Sequence, residues 1–266
     1  MTEKIDTPND YQYFGLISAM NSYSIIQLGK DNINNRSIVE ITGEAGSGKS
    51  RLCHYFAIQT ILPEKYGGQE KGCLFISTKP VADEKLREFF EPMAINKGLN
   101  SNEISLSFNK LIYRYLDFAN FDKLINSAFE NFIQENRIKT IIIDDIASLC
   151  DQEFQKEQRY DYRERFTFMM DFFRLMNNMI LKYDLFCFCV NEVRAVLRQD
   201  NSYNRAEAFK PALGKSWENN IATRLILKKN KINGVVNRRW IEVPFSNYLI
   251  NQYFEFEITD NGIHFL

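Results

Sequence analysis

Short apolar runs alternate with longer amphipathic stretches along the first two thirds of the chain. The runs have few polar interruptions, which is typical of strands buried on both faces of a sheet. The longer stretches repeat their apolar residues at helical spacing. Strands are therefore predicted near residues 38–41, 73–78, 111–116, 140–145 and 185–190, and helices near 50–62, 83–96, 121–136 and 164–183. This alternation predicts an α/β fold in which helices flank a mainly parallel central sheet.

A different pattern occupies the C-terminal part of the chain. Four short strand-like segments, ATRLILKK, NRRWIEV, YFEFEI and GIHF, predict an antiparallel extension on one edge of the sheet, with a hairpin turn at Asn233-Gly234. Since no repeat or Pro/Gly-rich linker divides the chain, we expect a single core over residues 25–266, preceded by a segment over residues 1–24. Within that segment, YQYFGLISAM (11–20) is interpreted as an additional core strand, with a docking segment as the alternative.

The sequence GEAGSGKS, residues 43–50, joins the first predicted central strand to the helix that follows it. It matches the pattern G-x-x-x-x-G-K-[S/T] of a phosphate-binding P-loop, in the strand-loop-helix context that such a loop requires. In a P-loop, backbone N–H groups surround the β-phosphate, the lysine reaches the β- and γ-phosphates, and the hydroxyl residue ligates Mg²⁺. ATP and Mg²⁺ are therefore predicted to bind at Gly43, Glu44, Ala45, Gly46, Ser47, Gly48, Lys49, Ser50 and Arg51.

An apolar strand that ends in an acid is the second part expected of such a site. The run TIIID ends at Asp144, whose carboxylate is predicted to hold Mg²⁺ through a water, as a Walker B aspartate does. The predicted metal ligands are thus Ser50 and Asp144. The alternative is that Asp144 and Asp145 only end a strand and cap a helix.

Charge and composition limit the other classes of function. The formal net charge is −1 over 266 residues, so any contact with nucleic acid must come from a local basic patch. Five cysteines without a C-x-x-C pair indicate packed, reduced thiols, and two histidines leave little for zinc or histidine-based catalysis. A polar N-terminus and the lack of an apolar run of about 18 residues predict no signal peptide and no membrane span, and thus a cytosolic or nuclear protein.

Several motifs together resemble one protein family. The P-loop is followed, in order, by YGGQEKGCLFIST, IIIDDIASL, LFCFCVNEV and PALGKSWENNIATRLILKK. This series is similar to the ATPase core of eukaryotic RecA-type recombinases, above all to recombinase paralogues of the X-ray-repair cross-complementing type. The residues that match the family's spacing after its second DNA loop are Pro211, Leu213, Gly214, Trp217, Asn220, Arg224 and Leu225.

The resemblance implies a RecA-like P-loop NTPase fold, ATP with Mg²⁺, and a nuclear role in homologous recombination and DNA repair. It implies as partners a RecA-type recombinase, other recombinase paralogues and single-stranded DNA, which a chain of net charge −1 is expected to bind weakly on its own. Family members usually carry a small helical N-terminal domain that polymerises them. Only about 25 residues precede the matching region here, so a filament assembled on that plan is not expected.

Two positions depart from the family's pattern where ATP is hydrolysed. In active recombinases the strand that matches FIST ends in Thr-Glu, and the glutamate activates the attacking water, whereas here Lys79 follows Thr78. An ammonium cannot accept that proton, and loss of a general base typically lowers a rate by about 10²- to 10⁴-fold. The family also places a glutamine where Glu192 stands. An ion pair between Lys79 and Glu192 is one interpretation of these changes, and Asp145 is a candidate substitute base.

By the same resemblance, residues 149–163 and 193–212 correspond to two DNA-facing loops. They combine arginines, which neutralise phosphates, with tyrosines, which stack on unpaired bases. Acidic residues dilute this charge, so solvated loops of mixed charge are the alternative. A second basic cluster, within 228–239, is interpreted as an exposed hairpin surface. The DNA-contact candidates are Arg159, Arg163, Arg194, Arg198, Arg205 and Lys210.

The sequence therefore predicts an ATP-binding recombinase paralogue that helps to load or stabilise the strand-exchange recombinase on single-stranded DNA, with weak or absent ATPase activity. One alternative is an active DNA-dependent ATPase that performs strand exchange itself, which requires an acid at position 79 and an assembly segment. The other is a P-loop kinase for a small acceptor, which has no need of the PALGKSW segment.

Overall fold

The apolar runs of the sequence are strands of a continuous sheet in the computed structural model, which describes residues 26–34, 37–156, 159–160, 162–196, 208–232, 235–250 and 252–266. The strands are β1 (Ile26–Leu28), β2 (Asp31–Ile33), β3 (Ile38–Gly43), β4 (Gly72–Ser77), β5 (Leu111–Tyr115), β6 (Ile138–Asp144), β7 (Gln155–Lys156), β8 (Arg159–Tyr160), β9 (Phe186–Asn191), β10 (Val193–Val196), β11 (Ala208–Pro211), β12 (Thr223–Ile232), β13 (Val235–Ser246), β14 (Tyr253–Thr259) and β15 (Gly262–Phe265). The helices are α1 (Lys49–Ile61), α2 (Asp83–Asn96), α3 (Ser101–Phe108), α4 (Phe118–Ser127), α5 (Phe129–Glu135), α6 (Ile146–Phe154), α7 (Tyr162–Tyr183) and α8 (Gly214–Glu218).

Nine of these strands form one sheet in the order β15-β14-β13-β12-β3-β9-β6-β4-β5. The strands from β12 to β5 in this order run parallel to their neighbours, whereas β12 to β15 pair antiparallel. Strands β3, β4 and β9 are buried along their whole length, because both faces of the sheet are covered. The prediction of a mainly parallel sheet with a C-terminal antiparallel extension is confirmed.

Helices cover both faces of the sheet and give it two apolar cores. On one face α1, α2 and α3 pack with the β1–β2 hairpin around side chains such as Phe56 and Phe90. On the other face α4 to α8 pack around Phe172 and Trp217. All five cysteines are buried and free, as expected for packed thiols.

Two helical predictions differ from the structure. The helix predicted at 121–136 is split into α4 and α5, because Ala128 between them has non-helical dihedral angles of φ −142° and ψ 23°. Helix α3 was not predicted; it begins at a capping box, in which the side chains of Asn100 and Glu103 each accept a hydrogen bond from the other residue's backbone N–H. The interpretation of residues 11–20 as a strand, and the turn at Asn233-Gly234, lie outside the described residues.

The carboxyl ends of four neighbouring strands meet at one edge of the sheet. The P-loop follows β3, Lys79 lies just beyond β4, Asp144 ends β6 and Glu192 follows β9. Ligands of open α/β sheets bind beyond the carboxyl ends of the strands. This edge is therefore where the candidate site is built.

Candidate nucleotide-binding site

The P-loop has the backbone conformation that its glycines permit. Gly43, Gly46 and Gly48 all have positive φ angles, of 150°, 73° and 114°, and residues other than glycine rarely adopt such angles. At Gly43 a Cβ atom would also lie 2.3 Å from the carbonyl oxygen of Leu227. The loop therefore packs directly against the backbone of β12 and has no room for a larger residue at its start.

The helix that follows the loop presents an open, positively polarised end. Helix α1 begins at Lys49 with no side-chain cap and no acid in its first turn. The first N–H groups of a helix have no partner within it and favour an anion. In the described part of the chain, the buried hydroxyl of Ser47 also has no hydrogen-bond partner. These donors fit a bound phosphate.

Lys49 is buried at the centre of the site, with 7% of its side chain exposed. Its Nζ donates to the carbonyl oxygens of Gly43 and Glu44, at 2.7 and 3.3 Å. It also donates to a carboxylate oxygen of Glu192 at 3.1 Å. The P-loop lysine is thus held by its own loop and by an acid from the end of β9.

Ser50 and Asp144 meet as the metal prediction requires. Both residues line the same cleft. Burial raises the pKa of Asp144, although the nearby Ser50 hydroxyl and the positive charges of Lys49 and Lys79 oppose the rise. Within the described ranges, no group of three acidic, histidine or cysteine side chains could hold a metal. The pair fits Mg²⁺, which usually takes one or two protein oxygens together with phosphates and water.

These groups line a cleft of about 520 Å³. Stacked rings form one wall of the cleft. The ring centroids of His54 and Phe75 are 5.0 Å apart, and those of Phe75 and Tyr113 are 5.3 Å apart. Arg51 lies on the rim, with its guanidinium 3.4 Å above the ring of Phe89. The cleft therefore joins a polar, phosphate-sized end to a wall of aromatic rings.

Lys79 lines the cleft, but it does not pair with Glu192 as the sequence suggested. Lys79 is exposed, and its charge acts on Asp144. Its backbone is fixed, because its carbonyl oxygen accepts from Ser77 at 2.8 Å and from Tyr113 at 3.2 Å. Glu192 is paired with the P-loop lysine instead. Glu192 directly follows β9, which is the neighbour of β3 in the sheet. It therefore lies beside the P-loop that follows β3 and pairs with Lys49 instead of Lys79.

Asp145 faces away from the cleft and caps a helix. Its carboxylate accepts from the backbone N–H and the hydroxyl of Ser148, at 2.5 and 2.9 Å, at the start of α6. The residue is 1% exposed, and burial raises its pKa. The capping alternative considered for this residue describes its position better than the role of a substitute base.

The β12–β13 hairpin contributes two residues to the site that the sequence analysis placed on an exposed surface. Lys229 and Arg239 are opposite each other in the hairpin register. Lys229 donates to the carbonyl oxygen of Ala45 in the P-loop, and Arg239 lines the cleft. Lys228, one position away, is exposed as predicted. Successive side chains along a strand point to opposite faces, and this alternation was the sequence signal that could have distinguished Lys229 from Lys228.

The DNA-contact candidates are only partly brought together. Arg194 and Lys210 are opposite each other on the β10–β11 hairpin, but Arg194 binds both carboxylate oxygens of Asp151 at 2.7 Å. Arg163 lines a separate groove beside α4 and α7. Only the backbone of Arg159, in β8, is described, and Arg198 and Arg205 lie outside the described residues.

A P-loop at the end of a central strand, an acid closing a neighbouring parallel strand, and an antiparallel C-terminal extension define a RecA-like α/β protein. A family model described as Rad51 matches residues 17–265. The chain therefore belongs to the Rad51 family, which confirms the resemblance to RecA-type recombinase paralogues.

Three relatives, all named as DNA repair proteins, illustrate this membership. The chain is 26% identical over 211 residues to human "DNA repair protein RAD51 homolog 2", covering 72% of the chain and 55% of the relative. It is 22% identical over 268 residues to "DNA repair protein XRCC3 homolog" of Arabidopsis thaliana, covering 88% of both. It is 26% identical over 203 residues to "DNA repair protein RAD51" of Saccharomyces cerevisiae, covering 75% of the chain and 48% of the relative. The chain thus spans about half the length of the human and yeast relatives. In the described ranges, no helix is long and apolar enough to cross a membrane.

Proposed function

We propose that this chain is an ATP-binding Rad51 paralogue that assists a strand-exchange recombinase on single-stranded DNA during homologous recombination in the nucleus. In this proposal, residues 25–266 form the ATPase core and residues 1–24 precede it. The partners are a RecA-type recombinase, other paralogues of the same family, or both.

The observation that carries the proposal is the arrangement at the start of α1. Lys49 is buried beside an uncapped helix end, and the Ser50 hydroxyl meets the Asp144 carboxylate. Ser50 and Asp144 would hold Mg²⁺, which neutralises charge on nucleotide phosphates when it is bound. Lys49 and the N–H groups of the loop would bind the phosphates themselves.

Slow hydrolysis is the second part of the proposal, and two side chains support it. Lys79 stands at the position of the family's glutamate, and its ammonium group has no acceptor for a proton. The Asp145 carboxylate accepts hydrogen bonds from Ser148 at the start of α6 instead of lining the cleft. A site with these contacts retains phosphate binding while lacking a group that activates water.

Replacing Lys49 tests nucleotide binding. We expect Lys49→Ala to abolish the rise in Tm that saturating Mg-ATP gives the unchanged chain, because stabilisation by a ligand requires binding to the folded state. Lys85→Ala, at an exposed position of α2, is the matched control and should keep the full shift. An equal shift in both variants would rule out the P-loop as the binding site.

Steady-state phosphate release tests slow hydrolysis. We expect slow turnover with or without single-stranded DNA, and faster turnover in Lys79→Glu, provided that Glu192→Gln is added to avoid a second negative charge near Lys49. If the unchanged chain turns over as fast as the double variant when DNA is present, another group supplies the base. The chain would then fit the alternative of an active DNA-dependent ATPase.

Co-purification of the native protein tests the accessory role. A RecA-type recombinase or another paralogue in stoichiometric amount is the expected partner, and its addition should strengthen binding to single-stranded DNA. Partners unrelated to DNA repair would contradict the proposal without affecting the assignment of the P-loop.

A further inference from the structure

The ammonium group of Lys49 makes as many hydrogen bonds as it has protons. Its acceptors are the carbonyl oxygens of Gly43 and Glu44 and the carboxylate of Glu192, at 2.7, 3.3 and 3.1 Å. An ammonium has three N–H donors and no acceptor. A phosphate oxygen can therefore reach Lys49 only by replacing or sharing one of these three contacts.

Glu192 is the contact that a phosphate is best able to replace. The two carbonyl oxygens belong to the P-loop and keep their places as long as the loop keeps its shape. Glu192 stands on the separate end of β9, and its side chain is 36% exposed, compared with 7% for Lys49. It is also the only one of the three acceptors that carries a charge, so its response depends on the charge of the incoming group.

Glu192 already makes this end of the cleft more negative. The Glu192 and Asp144 carboxylates both line the cleft, and Glu192 lies beside the Lys49 ammonium. A terminal phosphate placed between Lys49 and Asp144 would therefore meet the Glu192 carboxylate at short range, where like charges repel.

We propose that Glu192 is a specificity-determining residue, which shifts the site's preference from ATP toward ADP by competing with the γ-phosphate for Lys49. This inference rests on the proposed function, because it assumes that the P-loop binds adenine nucleotides. ADP brings only a β-phosphate, which the loop N–H groups bind and which can share the Lys49 ammonium with Glu192. ATP brings the γ-phosphate to the same ammonium as well, so the Lys49–Glu192 pair must then separate or remain in place against the repulsion between the two negative groups. In a partly exposed site, this repulsion corresponds to a change of about 10- to 100-fold in the affinity for ATP relative to that for ADP.

Calorimetric titration with Mg-ADP and a non-hydrolysable ATP analogue tests this inference on the full chain. We expect Glu192→Gln to raise affinity for the analogue by about 10-fold or more and affinity for ADP by less than about 3-fold. Glu88→Gln removes the same charge from an exposed position of α2 and should leave the ratio of the two affinities unchanged. Glu192→Asp, with a shorter reach, should give an intermediate ratio.

The outcomes separate this inference from the proposed function. ADP binding by Glu192→Gln shows that the variant is folded. An unchanged affinity ratio in that variant would overturn the inference while leaving nucleotide binding intact, and so would weaker binding of the analogue, which would make Glu192 a support for Mg²⁺. If the unchanged chain binds neither nucleotide, the proposed function fails together with the inference.

Discussion

Single side chains in this molecule owe their chemistry to burial against particular neighbours. His54 stacks on Phe75 in the wall of the cleft, where burial and the nearby guanidinium of Arg51 lower its pKa to about 4, from an ordinary value of 6.5. Its neutral form is therefore the stable one in the folded chain. Because the unfolded chain takes up this proton at a higher pH, the contribution of His54 to stability is complete above pH 6.5 and is lost between pH 6.5 and about 4.

His54→Phe, which keeps a ring at this position, should remove that dependence. We expect the unchanged chain to lose on the order of 3 kcal/mol more free energy of unfolding than the variant between pH 7 and pH 4. Urea denaturation at several pH values measures the difference. His264→Gln, at an exposed position of β15, should retain the slope of the unchanged chain. Parallel curves for the unchanged chain and His54→Phe would contradict the assignment.

Neighbouring elements are joined by a buried ionic contact at the centre of the sheet. Glu40 of β3 is fully buried and accepts from Asn191 at the end of β9, at 2.6 Å, and from Arg224 of β12. Arg224 also reaches Glu218 of α8, at 3.4 Å. Burial raises the pKa of Glu40 despite these partners. Because Asn191 precedes Glu192, this contact ties the strand end at the site to β12 and α8.

Removing one partner of this contact should cost far more than removing both. We expect Arg224→Met to lower the free energy of unfolding by about 3–5 kcal/mol, because it leaves the Glu40 charge buried and unpaired. Adding Glu40→Gln should restore a large part of that loss. Arg238→Met, which breaks the exposed pair with Glu255, should have little effect. Urea denaturation of the four chains decides the point, and equal losses in the single and double variants would contradict it.

The candidate DNA loops contact each other through charge. Asp151 of α6 holds Arg194 of β10 through two hydrogen bonds. Asp151→Asn should weaken this pairing, raise the affinity for single-stranded DNA several-fold and steepen its dependence on salt, because each additional phosphate contact adds about 0.7 to the salt slope. Asp171→Asn, which changes an exposed pair on α7, is the control for net charge. Salt titrations monitored by fluorescence anisotropy measure both effects. An unchanged slope would remove Arg194 from the DNA-contact candidates.

At the scale of the whole molecule, the continuous nine-stranded sheet should make unfolding one cooperative event. The parallel strands and the antiparallel extension both pair with β12, so they belong to the same sheet. Trp217 is buried in one core, while Trp240 lies on the partly exposed β13. We expect urea transitions followed by backbone circular dichroism, and by tryptophan fluorescence in Trp217→Phe and Trp240→Phe, to coincide. An earlier transition for Trp240 would show that the extension unfolds separately.

How much could be predicted from the sequence depends on how far apart the interacting residues lie along the chain. The P-loop and the central strands could be predicted, because each depends on one short contiguous stretch. The contact between Lys49 and Glu192 spans 143 residues, and that between Lys229 and Ala45 spans 184. Both follow from which strands become neighbours in the sheet, which periodicity alone does not determine. Ala128 shows that local features can escape prediction as well, because the helical pattern of the sequence continues across the point where the structure separates α4 from α5.

The position of β3 between β9 and β12 has a consequence for biosynthesis. During translation, the P-loop leaves the ribosome long before its neighbour β12, whose Arg224 is 184 residues beyond Glu40. At about 5–20 residues per second, the strand that carries the loop waits roughly 10 to 40 s without one of its two partners. A nascent chain stalled before residue 223 is therefore expected to expose the edge of β3 that β12 covers in the folded protein. Retention on immobilised ATP should begin only after the last strands have emerged from the exit tunnel.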